Sequence, residues 1–474
     1  MGFELRPYQK EAVDAGLKFL RGKSTKPGII VVPCGGGKSL LLSKIAHEIN
    51  KPVLVLQPSK EILEQNYAKA ISFGATPTIY SASCRKKELS SMTYATLKSI
   101  KREIRRLKEI GIDIILIDEA HSGYSPEEGS EFMNFIKEFP DAKVLGFTAT
   151  PCRLRTYGSM AEGNYSKLNM LTKDEMNFFQ KIIHVTQVQE LTSQGFWAKL
   201  KYERWAFDES ELVLNSSGAE YTENSIRRSI QKNGLNNTIY KRILQLMKER
   251  KHILVCMDST ESCYRISEFM NKKFGLITDV VTAQSSKKER EKAISDFKSG
   301  KLKVVFNYST LATGFDFPEL DCVIFGRPTF SYSVYYQILG RAIRIHPDKK
   351  DALIVDCCDN MKRFGRIEDL TIEQFPSRGW CMFSGDQLLS NIRMGDVITK
   401  QNILDRLASR KAVNFDGRRE DDLDNYIMWF GKYEGIRLKD IPISYFQFLA
   451  SKIEDVKPGS KMAKILDYYH KIKY

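Results

Sequence analysis

The chain has 474 residues, 42% of them apolar and 28% charged, with 73 Lys and Arg against 58 Asp and Glu for a net charge of +15. That length exceeds a single hydrophobic core and calls for two or three domains, while the ordinary apolar share excludes a disordered or fibrous chain. The basic excess points to a polyanionic partner, nucleic acid first. Nine cysteines with no C-x-x-C pair argue against a disulfide scaffold or zinc ribbon and fit a reducing, cytoplasmic compartment. The first residues, MGFELRPYQK, lack the apolar stretch of a signal peptide, and no run of about 18 apolar residues forms a membrane span.

Leu5-Arg6-Pro7-Tyr8-Gln9 precedes a helical pattern that runs to Leu20. The Gln9 amide can pair two-pronged with the N6/N7 edge of adenine, with Arg6 stacked on the base; a plain surface helix start is the alternative. Ile29, Ile30, Val31 and Val32 read as a buried parallel strand, which breaks at Pro33 into Gly35-Gly36-Gly37-Lys38-Ser39 and an apolar-periodic helix. This strand–loop–helix context is the one a phosphate-binding loop requires. Glycines turn backbone N–H groups inward without Cβ clashes, Lys38 can reach β- and γ-phosphates, and Ser39 can ligate Mg²⁺. The spacing departs from G-x-x-x-x-G-K-S, because Val32 takes the first glycine position.

A second buried strand, Val53–Leu56, ends in Gln57-Pro58-Ser59, and a third ends near Thr93–Thr96. Polar strand ends of an open α/β sheet are where ligands bind. A basic helix is expected over Lys98–Lys108, read either as a solvated face or as a backbone contact to nucleic acid. The strand Ile112–Ile117 delivers Asp118-Glu119-Ala120-His121 about 80 residues beyond the loop. Asp118 can hold Mg²⁺, Glu119 can orient or deprotonate the attacking water, and His121 can link the nucleotide to a polymer site. Val144–Phe147 leads to Thr148-Ala149-Thr150, whose hydroxyls suit coupling to the acidic motif. An inserted hairpin or hook is expected within 152–195, then a crossing linker over Thr192–Phe207.

A second βα series starts at Ile253–Met257. It carries Gln284 at a strand exit, Ser309–Asp316 (STLATGFD), and Gln337-Ile-Leu-Gly340-Arg341-Ala-Ile-Arg344, but no phosphate loop of its own. Arg341 and Arg344 share one helical face, as expected of a domain that closes on a nucleotide held by the first and supplies arginine fingers. A basic surface helix is the alternative for that segment alone.

LRPYQ, PCGGGKS, VLQPS, DEAH, TAT, STLATGFD and QILGRAIR occur in the order of the superfamily 2 helicases. The chain resembles that family over roughly residues 3 to 360. The phrasing around the motifs is most similar to bacterial RadD-type repair helicases and phage UvsW-type branch-migration helicases. The resemblance implies an α/β fold of two tandem RecA-like parallel-sheet domains, 1–195 and 196–365, with a small α-rich accessory domain over 366–474. It implies ATP and Mg²⁺ in the cleft. Arg6 and Gln9 would meet adenine; Gly35, Gly36, Gly37, Lys38 and Ser39 the phosphates; Ser39 and Asp118 the Mg²⁺. Lys38, Asp118, Glu119, Gln337, Arg341 and Arg344 would serve catalysis, with Gly314 and Asp316 on the ribose and phosphate side. Pro58, Ser59, Thr93, Gln284 and Thr310 would touch one nucleic-acid strand, and His121, Thr148 and Thr150 would couple the two sites. RadD-type members carry a Cys-rich zinc module that this chain lacks, so no zinc is expected.

The implied activity is ATP-dependent 3′-to-5′ DNA translocation or unwinding on forked or junction DNA, in the cytoplasm of a bacterial or phage-infected cell. The chain would act as a monomer, with recombination or single-strand-binding proteins as partners. An RNA helicase, the motor of a restriction system, and an ATP-binding clamp without turnover are the alternatives. Beyond the motor, Met361–Gly385 reads as irregular, Gln387–Ile392 and Lys400–Arg410 as helical, and Gly417–Asp424 as a linker. The aromatics of Met428–Gly435 and Leu438–Leu449 read as a small core, or as a stacking platform for bases.

Overall fold

A computed structural model of the chain describes residues 4–405 except 123, 125, 128, 160–162, 174–176, 309–316 and 376–377. Beyond 405 it describes 428, 433–434, 436–452, 462, 465–466 and 468–470. Residues 1–397 form one compact unit and 398–474 a second.

The first part of the large unit alternates strands and helices: α1 (Pro7–Arg21), β1 (Gly28–Val31), α2 (Lys38–Glu48), β2 (Val53–Leu56), α3 (Lys60–Ser72), β3 (Thr78–Ser81), β4 (Lys86–Lys87), β5 (Met92–Ala95), α4 (Leu97–Ile100), α5 (Ile104–Ile110), β6 (Ile114–Ile117), α6 (Glu131–Lys137) and β7 (Lys143–Thr148). A hairpin of β8 (Cys152–Ser159) and β9 (Gly163–Met170) stands apart as its own two-stranded sheet. The chain then returns through β10 (Lys181–Val185) to the edge of the first sheet, whose order is β10-β1-β7-β6-β2-β5-β3-β4. All its pairings are parallel except β3 with β4. The β-branched runs of β1, β2 and β6 are buried along their whole length, as parallel strands covered on both faces must be.

After α7 (Val188–Ser193), β11 (Leu200–Arg204) opens the second sheet. It continues with α8 (Glu223–Lys232), α9 (Leu235–Leu246), β12 (Ile253–Met257), α10 (Thr260–Phe274), β13 (Thr278–Val281), α11 (Lys287–Lys298), β14 (Val304–Asn307), β15 (Cys322–Gly326), α12 (Tyr332–Ala342) and β16 (Ala352–Asp356). The order is β11-β16-β15-β12-β14-β13, parallel throughout. These are the two RecA-like parallel-sheet domains of the expected α/β fold.

Three local expectations need correction. The stretch Thr192–Phe207 is not all linker: Leu200–Arg204 pairs with the whole of β16, which satisfies the backbone groups that face it. The basic stretch 98–108 is two short helices, α4 and α5, and its Lys101, Arg105, Arg106 and Lys108 face Glu131, Glu109, Glu103 and Glu138. After α13 (Asn360–Phe364) the chain is not helical at once. It forms the antiparallel strands β17 (Leu370–Phe375), β18 (Gly379–Ser384) and β19 (Gln387–Leu388), so the segments read as irregular and helical there are a small sheet. Their core residues Leu370, Met382 and Leu389 join the cluster that holds Tyr332, Tyr336 and Ile343.

The second unit has its own apolar cluster, built on Met428, Leu438, Phe446, Leu449, Ile465 and Tyr468, with α14 (Ile443–Lys452) at its centre. Lys400–Asp405 is helical; 406–410 and the Gly417–Asp424 segment lie outside the described residues.

Candidate active site in the interdomain cleft

The phosphate loop leaves the C-terminal end of β1, between the neighbours β10 and β7. Gly35 (φ +72°) and Gly37 (φ +88°) adopt left-handed backbone, and Gly37 caps α2 at its N-terminus. A Cβ on Gly37 would come within 2.4 Å of Gln9 Nε2. The unusual Val32 is accommodated because Gly36 lies over it, where a Cβ would meet Val32 Cγ1 at 2.6 Å. The loop is therefore a cradle that side chains would fill.

Gln9 and Tyr8 hold this loop. Gln9 Nε2 and Tyr8 Oη both donate to the Gly36 carbonyl at 3.1 Å, and Gln9 Oε1 accepts from the Arg6 N–H at 3.0 Å. The Arg6 guanidinium lies 3.7 Å from the ring centroid of Phe196. Of the pair expected to read adenine, Gln9 thus braces the loop from α1, and Arg6 at the helix start takes Phe196 as its aromatic partner.

Lys38 reaches the two acids at the end of β6. Its ammonium donates a short hydrogen bond to Glu119 Oε1 and stands 3.8 Å from Asp118 Oδ1. Burial pushes the Lys38 value down, but the two carboxylates outweigh it and hold the ammonium charged. Burial also pushes Glu119 up, while Lys38, His121 and Arg341 bring it below its ordinary value. Asp118, deeper, is raised by burial. Asn66 Nδ2 donates to Asp118 Oδ2 at 2.8 Å and to Gln57 Oε1 at 3.0 Å, fixing the carboxylate from α3. Glu119 sits at φ +49°, a conformation costly for a non-glycine residue. Ser39 is half-buried at the start of α2. The donor set of Ser39, Asp118 and Glu119 beside a glycine cradle fits a hydrated Mg²⁺ and a polyphosphate.

His121 connects this centre to the second domain. Nδ1 lies 3.3 Å from Glu119 Oε2 and 3.0 Å from Thr148 Oγ1, and Nε2 is 3.5 Å from Gln337 Nε2 on α12. These partners assign the Nδ1–H tautomer, with Nε2 accepting from the Gln337 amide. Thr148 Oγ1 in turn donates to the Thr150 carbonyl and accepts from its N–H. Arg153, at the base of the β8–β9 hairpin, donates to the carbonyls of His121 and Tyr124.

Burial holds His121 down at about 4, against the opposing pull of Glu119. The ring is neutral near pH 7. Its folded-state value lies below the ordinary 6.5, so the unfolded chain takes up the proton first as the pH falls. The stabilisation present above about pH 6.5 is therefore lost progressively down to about pH 4. Denaturant midpoints between these limits fall more steeply for the native chain than for His121→Gln; equal slopes would mean that His121 is not buried neutral.

The cleft's other wall is α12. Tyr336 Oη accepts from the Cys34 N–H at 3.4 Å, Trp197 Nε1 donates to the Cys34 carbonyl at 3.0 Å, and a Cβ on Gly340 would meet Cys34 Cβ at 2.8 Å. Arg341 lies in the last turn of α12 and Arg344 just past its end. Burial lowers both guanidiniums, with Glu119 among the charges that oppose this at Arg341.

The structure thus brings together Arg6, Gln9, the loop, Lys38, Asp118, Glu119, His121, Thr148, Thr150, Gln337, Arg341 and Arg344. It does not bring Thr93 to the rim. Thr93 is fully buried in β5, and its hydroxyl is used by Ser90 and Thr78. The rim hydroxyl on that strand is Thr96, at the start of α4, bonded to Ser99 at 3.0 Å. Ser59 caps α3, half-buried beside Pro58, and Gln284 is exposed at the end of β13. Thr310, Gly314 and Asp316 lie outside the described residues. Reading the sequence missed Asn66, Phe196, Trp197 and Tyr336; an aromatic pair between two domains was the only signal for Phe196 and Trp197.

A family model described as the res subunit of type III restriction enzymes matches residues 2–153, and the helicase conserved C-terminal domain matches 236–346. The chain is 23% identical to IRC3 of Saccharomyces cerevisiae over 370 residues, 74% of this chain and 51% of that protein. It is 26% identical to the DNA 3′-5′ translocase XPB2 of Sulfurisphaera tokodaii over 392 residues, 74% of this chain and 81% of that one. It spans 51% and 60% of the two yeast relatives it matches. Its fold is similar to the ATP-dependent Type ISP restriction-modification enzyme LlaBIII bound to DNA (TM-score 0.54, 19% identity, 74% of this chain, 28% of that one). Among the described residues no helix is long and apolar enough to cross a membrane.

Proposed function

We propose that this chain, whose two matched domains are those of the superfamily 2 helicases, is an ATP-driven DNA translocase or helicase. One observation carries this reading: Lys38, Asp118 and Glu119 share one centre, and His121 joins it to Gln337 on the opposite domain. A nucleotide-binding protein without a motor has no need of that bridge.

In the proposed cycle, Lys38 leaves the two acids for the incoming phosphates, whose negative charge replaces theirs. Mg²⁺ held by Ser39 and Asp118 would neutralise charge on the phosphates. Glu119 orients the water, and Arg341 and Arg344 bring positive charge from the second domain. His121, Thr148 and Thr150 sense the state of Glu119 and pass it to α12. Each closing and opening shifts the grip of the two sheet rims, including Ser59, Thr96 and Gln284, along one strand. DNA as the track and 3′-to-5′ as the direction draw on the similarity to XPB2. Action on forks and junctions is the finer proposal.

The test is the steady-state ATPase rate with single-stranded DNA, duplex, fork, four-way junction and single-stranded RNA. Stimulation peaking on forks or junctions supports branch remodelling, and equal stimulation by RNA overturns the DNA reading. DNA affinity also falls steeply with salt, with a log–log slope of about −0.7 per phosphate contact on single strands; a flat titration argues against backbone tracking. The restriction-subunit match over 2–153 favours a second reading, the motor of a restriction system. That reading predicts stimulation by duplex rather than by forks.

A further inference from the structure

Lys349 lies outside every motif discussed above, yet its ammonium is fully engaged. Nζ donates to the carbonyls of Pro318 at 2.7 Å, Leu320 at 3.1 Å and Ala342 at 3.0 Å. Ala342 is the last residue of α12, so one of these is a helix-end carbonyl with no partner inside its own helix. The other two belong to the segment that directly follows Asp316, the end of the STLATGFD motif. A second tie runs alongside. The Asp348 N–H donates to His346 Nδ1 at 3.2 Å, which leaves Nε2–H to face Glu319 Oε1 at 3.2 Å. Residues 346–349 therefore clip the 317–320 segment to the end of the helix that carries Gln337 and Arg341, with Arg344 between them.

We propose that Lys349 is a positioning residue, which holds the 317–320 segment and the arginine-bearing end of α12 as one body and so places Arg341 and Arg344 for ATP hydrolysis. This rests on the ATP-motor reading. Three acceptors arranged about one point suit an ammonium with three donors; a planar guanidinium matches two parallel acceptors better. The groups facing the ammonium are Asp321, which favours its charge, and Arg344, which opposes it, with Glu319 and His346 on the adjoining tie. Burial brings Lys349 down to about 8. Above that pH the neutral amine keeps two donors and turns a lone pair toward a carbonyl oxygen, so the clip loosens.

The test uses the full chain with saturating single-stranded DNA, measuring kcat and KM for ATP from about pH 6.5 to about pH 9.5, together with the melting temperature. Native activity against Lys38→Ala checks the motor reading separately: no native turnover, or equal turnover in Lys38→Ala, sinks that reading. With native turnover established, Lys349→Met lowers kcat by about 10- to 10²-fold, the size expected of a small misplacement, with KM for ATP nearly unchanged. The alkaline fall in kcat near pH 8 is present in the native chain, absent from Lys349→Met, and moved upward in Lys349→Arg, which stays charged. A merely structural role would lower the melting temperature without moving that limb. Native-like kcat in Lys349→Met, or an unmoved limb in either variant, overturns the proposal. If Lys349→Met does not fold, the limb of Lys349→Arg decides.

Discussion

Glu119→Gln lowers ATP turnover by about 10²- to 10⁴-fold, the usual worth of a positioned general base, and leaves ATP binding intact. The substitution keeps the shape of the side chain and removes one of two negative charges beside Lys38. Asp118 remains, held by Asn66, to serve the metal. Lys38→Ala is a blunter probe of the same centre. It strips the buried Asp118 and the half-buried Glu119 of their counter-ion, so it lowers stability along with nucleotide affinity. Single-turnover kinetics and nucleotide binding measured on Glu119→Gln separate the effects. Turnover within tenfold of native would show that Glu119 is not the group that acts on the water.

Gly340→Ala is the second large effect. Gly340 lies in the last turn of α12 at ordinary helical φ, so alanine there favours the helix by about 1 kcal/mol. Its new methyl, however, would lie 2.8 Å from Cys34 Cβ and 2.9 Å from Sγ on the phosphate loop. The helix must back away and carry Gln337 and Arg341 with it. Turnover falls by about 10²-fold, as a displacement near 1 Å costs, while overpacking of about 1–3 kcal/mol cancels or outweighs the helix gain in the melting temperature. Cys34→Gly in the same chain removes both clashing atoms and restores turnover, a coupling that a double-mutant cycle measures. If Gly340→Ala keeps native turnover, the close approach of α12 to the loop is not part of the working cycle.

The site was legible where local pattern and local chemistry coincide. A buried β-branched run, three glycines, Lys38 and an apolar-periodic helix identify a phosphate loop from about ten consecutive residues. Asp118-Glu119 at the end of another such run places two acids on the same rim. The pattern misleads where a hydroxyl's depth along a strand matters: Thr93 lies within β5 and Thr96 just past its end, and only Thr96 reaches the rim. It also misleads at β11 and at β17–β19, where polar and apolar residues mix and pairing with a neighbouring strand decides the structure.

By itself, the sequence determined the two α/β domains, the phosphate loop, the two acids and the order of the motifs. Each of these rests on short-range periodicity or on adjacent residues, which a linear reading contains. Only the tertiary structure decided that Gln9 and Tyr8 brace the loop, that Asn66 orients Asp118, and that Trp197 and Tyr336 bind the two sides of Cys34. Cys34 and Tyr336 are 302 residues apart, and His121 and Gln337 are 216 apart. Contacts at such separations leave no trace in local periodicity, because they form only when the two sheets present their rims to each other.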